Sequence, residues 1–317
     1  MAVVQARDVL RGAVDLHCHS GPNPLAREFD HVEAARDGAR LEMRGILAKS
    51  HHHNTVMDLL AMADRLAGLS TPIFGGIALN AWVGGINPEA VAMSLRMGGR
   101  AVWFPTLSSH QHLTHPPRRA TPSLVELPNR EVPIYDSRGR LLDDVRRVLD
   151  LVAEHDALLS SGHMGFTEAL DVFTEARARG VRRMVLSHPN HVVGASPANC
   201  RGLVELGVYI EHEAGAFDPQ GGIRWDPAIL HEWIDAVGAA HTVIASDLGQ
   251  HGRPMPVDGL TRVCATLLER GVPAADLRLM TGANPAFLLG LDAERPEPAD
   301  RRAAAAATAS GEEESSA

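Results

Sequence analysis

The sequence predicts an α/β fold of the (β/α)8 TIM-barrel type, and three observations predict it. Eight short apolar segments alternate with longer amphipathic ones along most of the chain. The 317 residues leave ample room for a barrel that typically takes about 250. Four of the apolar segments end in a residue type suited to binding a divalent ion: His17-Cys18-His19, then His163, His188 and Asp247. An open doubly wound sheet shows the same alternation. The barrel is preferred because these endings fall on the first, fifth, sixth and eighth segments, and only closure brings the first and eighth together.

The strand segments are expected at 12–17, 44–49, 72–79, 100–105, 157–162, 182–187, 207–212 and 242–246. They are rich in Val, Ile, Leu and Ala with little polar alternation, as befits parallel strands buried on both faces. Helices are expected between them. Residues 55–68 place Val56, Leu59, Leu60, Ala63 and Leu66 on one stripe, with Gly68 as a stop. Residues 88–98 open with Pro-Glu and close at Gly98-Gly99. Residues 141–155, 167–179, 227–237 and 257–270 carry similar patterns. The spacing breaks once, between the fourth and fifth strands, where His110 to Gly139 holds five prolines. That stretch is too proline-rich for a helix and predicts a long loop over the barrel mouth. The barrel is expected to occupy 1–291 as one domain. Residues 292–317, which turn to Ala, Glu, Ser and Asp without period, are expected to form a disordered tail.

Composition narrows the partners. Hydrophobic residues make up 45% and charged residues 22%, with a formal net charge of −9, which disfavours nucleic acid or an anionic membrane. Three scattered cysteines, Cys18, Cys200 and Cys264, point to a reducing compartment. The first ten residues lack the build of a signal peptide, and no 18-residue apolar stretch occurs. The expectation is a cytoplasmic protein acting on a small molecule, with a homo-oligomer left open.

In a strand, residues two apart share a face, so His17 and His19 converge. H-x-H alone is weak in a chain with 17 histidines, which repeats it at His51/His53 and His110/His112. The ordered set resembles the amidohydrolase superfamily of metal-dependent barrels: H-x-H after strand one, His after strands five and six, Asp after strand eight. The late segment Asn284-Pro285-Ala286-Phe287-Leu288-Leu289-Gly290-Leu291 is similar to the helix that often closes those barrels. The resemblance spans about residues 12–291. It implies that His17, His19, His163, His188 and Asp247 are metal ligands, and that Asp247 also takes the proton of the attacking water. It further implies a metal-bound hydroxide acting on an amide, cyclic amide, lactone or aminated heterocycle. Imidazole and carboxylate donors suit Zn²⁺, with Mn²⁺ or Fe²⁺ as alternatives, and a bound metal brings water near neutrality in pKa.

One departure stands out. Many binuclear members place a carboxylated Lys or a Glu after the fourth strand; here Ala101-Val102-Trp103-Phe104-Pro105-Thr106 has neither. Lys49, ending the second strand, is the substitute. It is either a carboxylated bridge between two ions or an ammonium that is ion-paired or grips substrate. One ion or two both remain open. His51 shares its strand parity and is expected to line the site, with His52 and His53 in solvent. Asn80, Trp82 and Gln250 are expected to meet substrate, and His251 joins Gln250 in the last loop. Glu211 and Glu213 are read either as facing the site or as rim ion pairs, and Asp15 as a buried acceptor that orients a ligand or binds a neighbour. His110, His112 and His115 are either exposed loop or a lid. Two rival readings stand beside hydrolysis. A mononuclear decarboxylase would use Lys49, Arg118, Arg119 or Arg138 to grip a carboxylate, and a non-catalytic metal-dependent binding protein would need no turnover.

Overall fold

The computed structural model describes residues 5–115, 122–218, 220 and 225–296. The predicted tail beyond residue 296, and Arg118 and Arg119, lie outside the described residues.

Nine strand segments form the barrel: β1 Val14–Cys18, β2 Gly45–Ala48, β3 Ile73–Phe74, β4 Gly76–Ala78, β5 Ala101–Trp103, β6 Leu158–Ser160, β7 Arg183–Ser187, β8 Val208–Glu213 and β9 Thr242–Ala245. All pairings between them are parallel. β3 pairs with β2, and β4 with β5, so these two pieces are halves of the third barrel strand, parted at Gly75. The hydroxyl of Thr55 fills the break. It donates to the carbonyls of Ala48 and Gly76 at 3.0 and 3.2 Å and accepts the Gly76 N–H at 3.0 Å. A Cβ at residue 75 would sit 2.8 Å from that oxygen, so the position admits only glycine.

The ring closes between β9 and β1. The carbonyl of His17 accepts the Asp247 N–H at 2.7 Å, and the His19 N–H donates to Leu248 O at 2.8 Å. Cys18 and Leu248 form a parallel bridge. The eight-position barrel is therefore the fold the sequence predicts.

Side chains alternate between its two surfaces. Val14, Leu16, Leu47, Ala78, Trp103, Leu158, Val185, Tyr209 and Val243 fill the interior with Ala286 to Leu289 of the closing helix Asn284–Leu288. Residues of opposite parity, among them Ile46, Ile77, Met184, Ile210 and Ile244, pack against the outer helices. Burying a Val or Leu side chain contributes about 1.5–3 kcal/mol, and both surfaces of every strand but the partly buried β3 are so buried. The β1/β2 register shifts between Asp15 and Cys18. This irregularity lets Val14 and Leu16 face inward below while His17 and His19 face inward above; strict alternation would have turned the imidazoles out.

Most helices follow the sequence. Pro88–Arg96, Asp143–Glu154, Phe166–Ala178, Pro227–Val237 and Pro256–Glu269 lie close to their expected ranges. Asn87, Ser196 and Asp226 accept backbone N–H groups of the first turns of their helices, as N-caps should. Two expectations change. The helix expected over 55–68 is divided into Thr55–Ala61 and Ala63–Leu66. Its stripe faces largely outward: Leu60 is exposed, and only Thr55 and Val56 are buried. The proline-rich stretch begins with a short helix, His110–Thr114, capped by Ser109; its residues precede the first proline, so the composition of the whole stretch misled. Past residue 291, Asp292 pairs with Arg44 at 2.7 Å and Arg295 stacks over Tyr209.

Candidate metal centre

Three strand ends turn through left-handed backbone to aim side chains into the mouth. His188 and Asp247 have φ of 55° and 49°, and Gly162, just before His163, has φ of 60°. For a residue with a Cβ this conformation costs about 1–3 kcal/mol and persists only where surroundings enforce it. Here hydrogen bonds from the backbone N–H groups of His188 to Glu213 Oε1, His163 to Pro105 O and Asp247 to His17 O do so.

The resulting cluster brings together all five expected ligands. The rings of His17 and His19 lie 5.1 Å apart, His17 and His188 5.1 Å, and His163 and His188 5.0 Å. Asp247 Oδ1 is 3.1 Å from His19 Nε2 and 3.4 Å from His17 Nε2. His17, His19 and Asp247 offer donor atoms within 4.8 Å of one another, and His17, His188 and Glu213 form a second such group.

The outer partners fix which nitrogens face inward. Glu211 Oε1 lies 2.7 Å from His17 Nδ1, so that nitrogen carries the proton and Nε2 keeps its lone pair toward Asp247. The Lys49 carbonyl, 3.0 Å from His19 Nδ1, does the same for His19. Glu213 Oε1 accepts the His188 N–H at 2.8 Å and lies 2.8 Å from its Nδ1. Carboxylate or carbonyl behind imidazole is the arrangement that orients metal-binding histidines. Of the two readings given for Glu211 and Glu213, the inward one describes these fully buried side chains.

Electrostatics agree with neutral donors. Burial holds the His19 imidazole down to about 3 and His188 to about 4, and pushes His17 and His163 well below the usual range. Burial pushes the Asp247 carboxyl up, but His17, His19 and His188 more than offset it, leaving it well below the ordinary carboxylate value. Burial, ahead of the attraction of Asp247, brings Lys49 down to about 8. Its Nζ sits 3.0 Å from His17 Nε2. His163 Nε2 is buried with no partner among the described residues. Inward lone pairs, an orphaned imidazole nitrogen and an ionised carboxylate form a donor set that fits Zn²⁺ or a similar cation.

The remaining residues divide. His51 lines the cluster, its ring 4.9 Å from His19 and 5.6 Å from His163, with Nδ1 2.8 Å from Thr106 Oγ1. Asn80, expected to meet substrate, is turned to another task. Its amide donates to His51 O and Thr106 Oγ1 at 2.8 and 2.6 Å and accepts from the N–H groups of Thr106 and Ser108. Every polar atom is thus spent bracing the β2 and β5 loops. His52 is not in solvent: it is buried and stacks 4.3 Å from Trp82. Trp82 donates Nε1–H to Pro128 O at 2.8 Å. Gln250 donates Nε2–H to Asp247 O at 3.0 Å, while its Oε1 is buried without a donor among the described residues. Asp15 accepts the backbone N–H groups of His17 and Ser246 at 3.1 and 2.9 Å, holding the β1/β9 seam rather than a ligand ring. His112 reaches in to His163, with Nδ1 atoms 3.1 Å apart, while His110 is exposed beside Glu131. Arg138 is exposed. Sequence reasoning missed Arg27, whose short loop carried no ligand-type pattern.

A family model for DUF6282, a family of unknown function, matches residues 12–211. The chain belongs to DUF6282. That match carries His17, His19, Lys49, His163, His188 and Glu211, while Asp247 lies past its end. No curated protein matches the DUF6282 chain by sequence. Solved structures do match it in shape. An amidohydrolase from Pseudomonas aeruginosa is 15% identical, with TM-score 0.60, covering 90% of this chain and 98% of that one. A mutant of a PTE-like lactonase from Deinococcus radiodurans is 14% identical, with TM-score 0.59 and coverage of 91% and 98%. The phosphotriesterase homology protein from Escherichia coli is 14% identical, with TM-score 0.54 and coverage of 88% and 99%. At these identities the likeness establishes that this DUF6282 protein has the barrel fold of the amidohydrolases. No helix among its described residues is long and apolar enough to cross a membrane.

Proposed function

We propose that the protein is a metal-dependent hydrolase of small molecules, with His17, His19 and Asp247 holding one ion, and His163 and His188 a second beside it. The observation that carries this reading is the set of inward-facing Nε2 lone pairs of His17 and His19 converging on Asp247 Oδ1 at 3.4 and 3.1 Å. Matched shape with an amidohydrolase and a PTE-like lactonase supports it. A bound divalent ion supplies Lewis-acid activation of water and polarises the group under attack.

The chain's own residues do the rest. Asp247, ionised and tied by its backbone to His17, takes the proton released as water adds to the substrate carbon, then passes it to the departing nitrogen or oxygen. Glu211 and Glu213 hold His17 and His188 in one orientation. Lys49, buried and 3.0 Å from His17 Nε2, would lie beside an ion held by that nitrogen and, if carboxylated by carbon dioxide, would offer it an oxygen donor. An amide, cyclic amide, lactone or aminated heterocycle supplies the carbon, and zinc in a cytoplasmic setting is the ion proposed.

Elemental analysis tests the reading. The purified protein is expected to carry divalent metal, His17→Ala to lose it together with turnover, and Lys49→Ala to retain about half. Unchanged metal content in His17→Ala overturns the site. Unchanged content in Lys49→Ala returns that side chain to an ammonium role. A panel of lactones, amides and aminated heterocycles then reads the substrate.

A further inference from the structure

Arg27, on the loop after β1, is a cation with no ion-pair partner among the described residues. Its Nε and Nη2 are buried and have no hydrogen-bond partner among the described residues. Desolvating guanidinium nitrogens without acceptors is costly, so the position demands a reason.

Its backbone is held from both sides. Arg27 forms an antiparallel bridge with Gln250, and Leu25 with Ser123. Glu28 N–H donates to Gly249 O at 2.9 Å, and His251 N–H to Ala26 O at 3.1 Å. On the other edge, Ala26 N–H donates to Pro122 O at 2.9 Å and Leu124 N–H to Pro24 O at 2.8 Å. This small ribbon joins the loop after β1, the loop after β9 and the long loop after β5. It places Arg27 beside the loop that carries Asp247. The Gln250 opposite Arg27 itself donates Nε2–H to Asp247 O at 3.0 Å, so the bridge ties Arg27 to a residue hydrogen-bonded to the proposed base. Asp247 in turn opposes the lowering that burial imposes on Arg27 itself.

We propose that Arg27 is the receptor for an anionic oxygen group, a carboxylate or a phosphoryl group, carried by the substrate next to the bond that is cleaved. A planar fork of N–H donors matches two oxygens of such a group. The ribbon fixes that fork relative to Asp247, so the anion sets the distance between recognition and reaction. The proposal rests on the hydrolase reading for what happens at the metals, but recognition by Arg27 is measurable without turnover.

Calorimetric titration of the metal-loaded protein with succinate and with inorganic phosphate tests it, with neutral succinamide as control. Wild type is expected to bind at least one anion and to ignore succinamide. Arg27→Gln should weaken binding about tenfold or more, and Arg27→Lys should fall between, with metal content unchanged in both. Binding of succinate alone assigns a carboxylate, and of phosphate alone a phosphoryl group. Equal affinity in Arg27→Gln, equal binding of succinamide, or no anion binding at millimolar concentration overturns the proposal. Should Arg27→Gln lose metal or fold, Arg27→Lys carries the comparison. Wild type that binds no metal sinks the hydrolase reading instead, and the anion comparison between variants still stands.

Discussion

Behind His17, Glu211 Oε1 accepts a hydrogen bond from Nδ1–H at 2.7 Å and leaves the opposite nitrogen facing Asp247. A neutral amide there keeps the hydrogen bond but loses the charge that makes the imidazole a stronger donor. Glu211→Gln is therefore expected to weaken metal affinity at least about tenfold with little change in melting temperature, read by competition against a chelator. Residue-level legibility followed chemistry. His17, His19, His163, His188 and Asp247 could be read because each ends an apolar run. Glu211 could be read only halfway, since parity placed it near the site without saying which ring it meets. Asn80 misled because a polar residue at a strand end serves loops as well as it serves substrates. Arg27 left no trace at all, because its meaning lies in acceptors it lacks, which only three-dimensional packing reveals.

Among the elements, strands were legible to within a residue or two because burial on both faces enforces unbroken apolar runs. Helix faces were less so: the stripe over 55–68 is periodic, yet Met57 and Leu60 are exposed, since periodicity does not say which way a helix is turned. What instead fixes the first of these helices is polar. Asp58 sits 2.5 Å from His53 Nε2 and 3.6 Å from the buried His31 Nε2. Burial raises its carboxyl, but the nearby His31 and the hydrogen bond from His53 prevail and hold it at about 2. A carboxylate depressed by folding contributes stability above its unfolded value near 4, and this is lost as pH falls toward 2. Asp58→Asn should thus cost about 1–2 kcal/mol near neutral pH, and the deficit should shrink below pH 4, as chemical denaturation across pH would report. The loop after β9 offers a second test. Gly249 has φ of 129°, and a Cβ there would come 2.3 Å from the His19 carbonyl. Gly249→Ala is expected to push the Asp247 loop off β1, lowering metal affinity and melting temperature together; a variant with wild-type metal content would refute this.

At the scale of the whole molecule, the barrel was legible because eight alternations and four ligand-type endings had to be satisfied at once, and closure satisfies both. The break at Gly75, mended by Thr55, and the register shift in β1 were not, since each inserts a local exception into a regular ladder. The seam between β9 and β1 has one last implication. His17 on the first strand of the barrel leaves a ribosome well before Asp247 on the last, and their backbones are hydrogen-bonded to each other. A nascent chain therefore owns most of its imidazoles long before it owns a complete cage. An ion that settles there locks the two ends of the barrel to one another and marks the moment at which synthesis has become a finished enclosure.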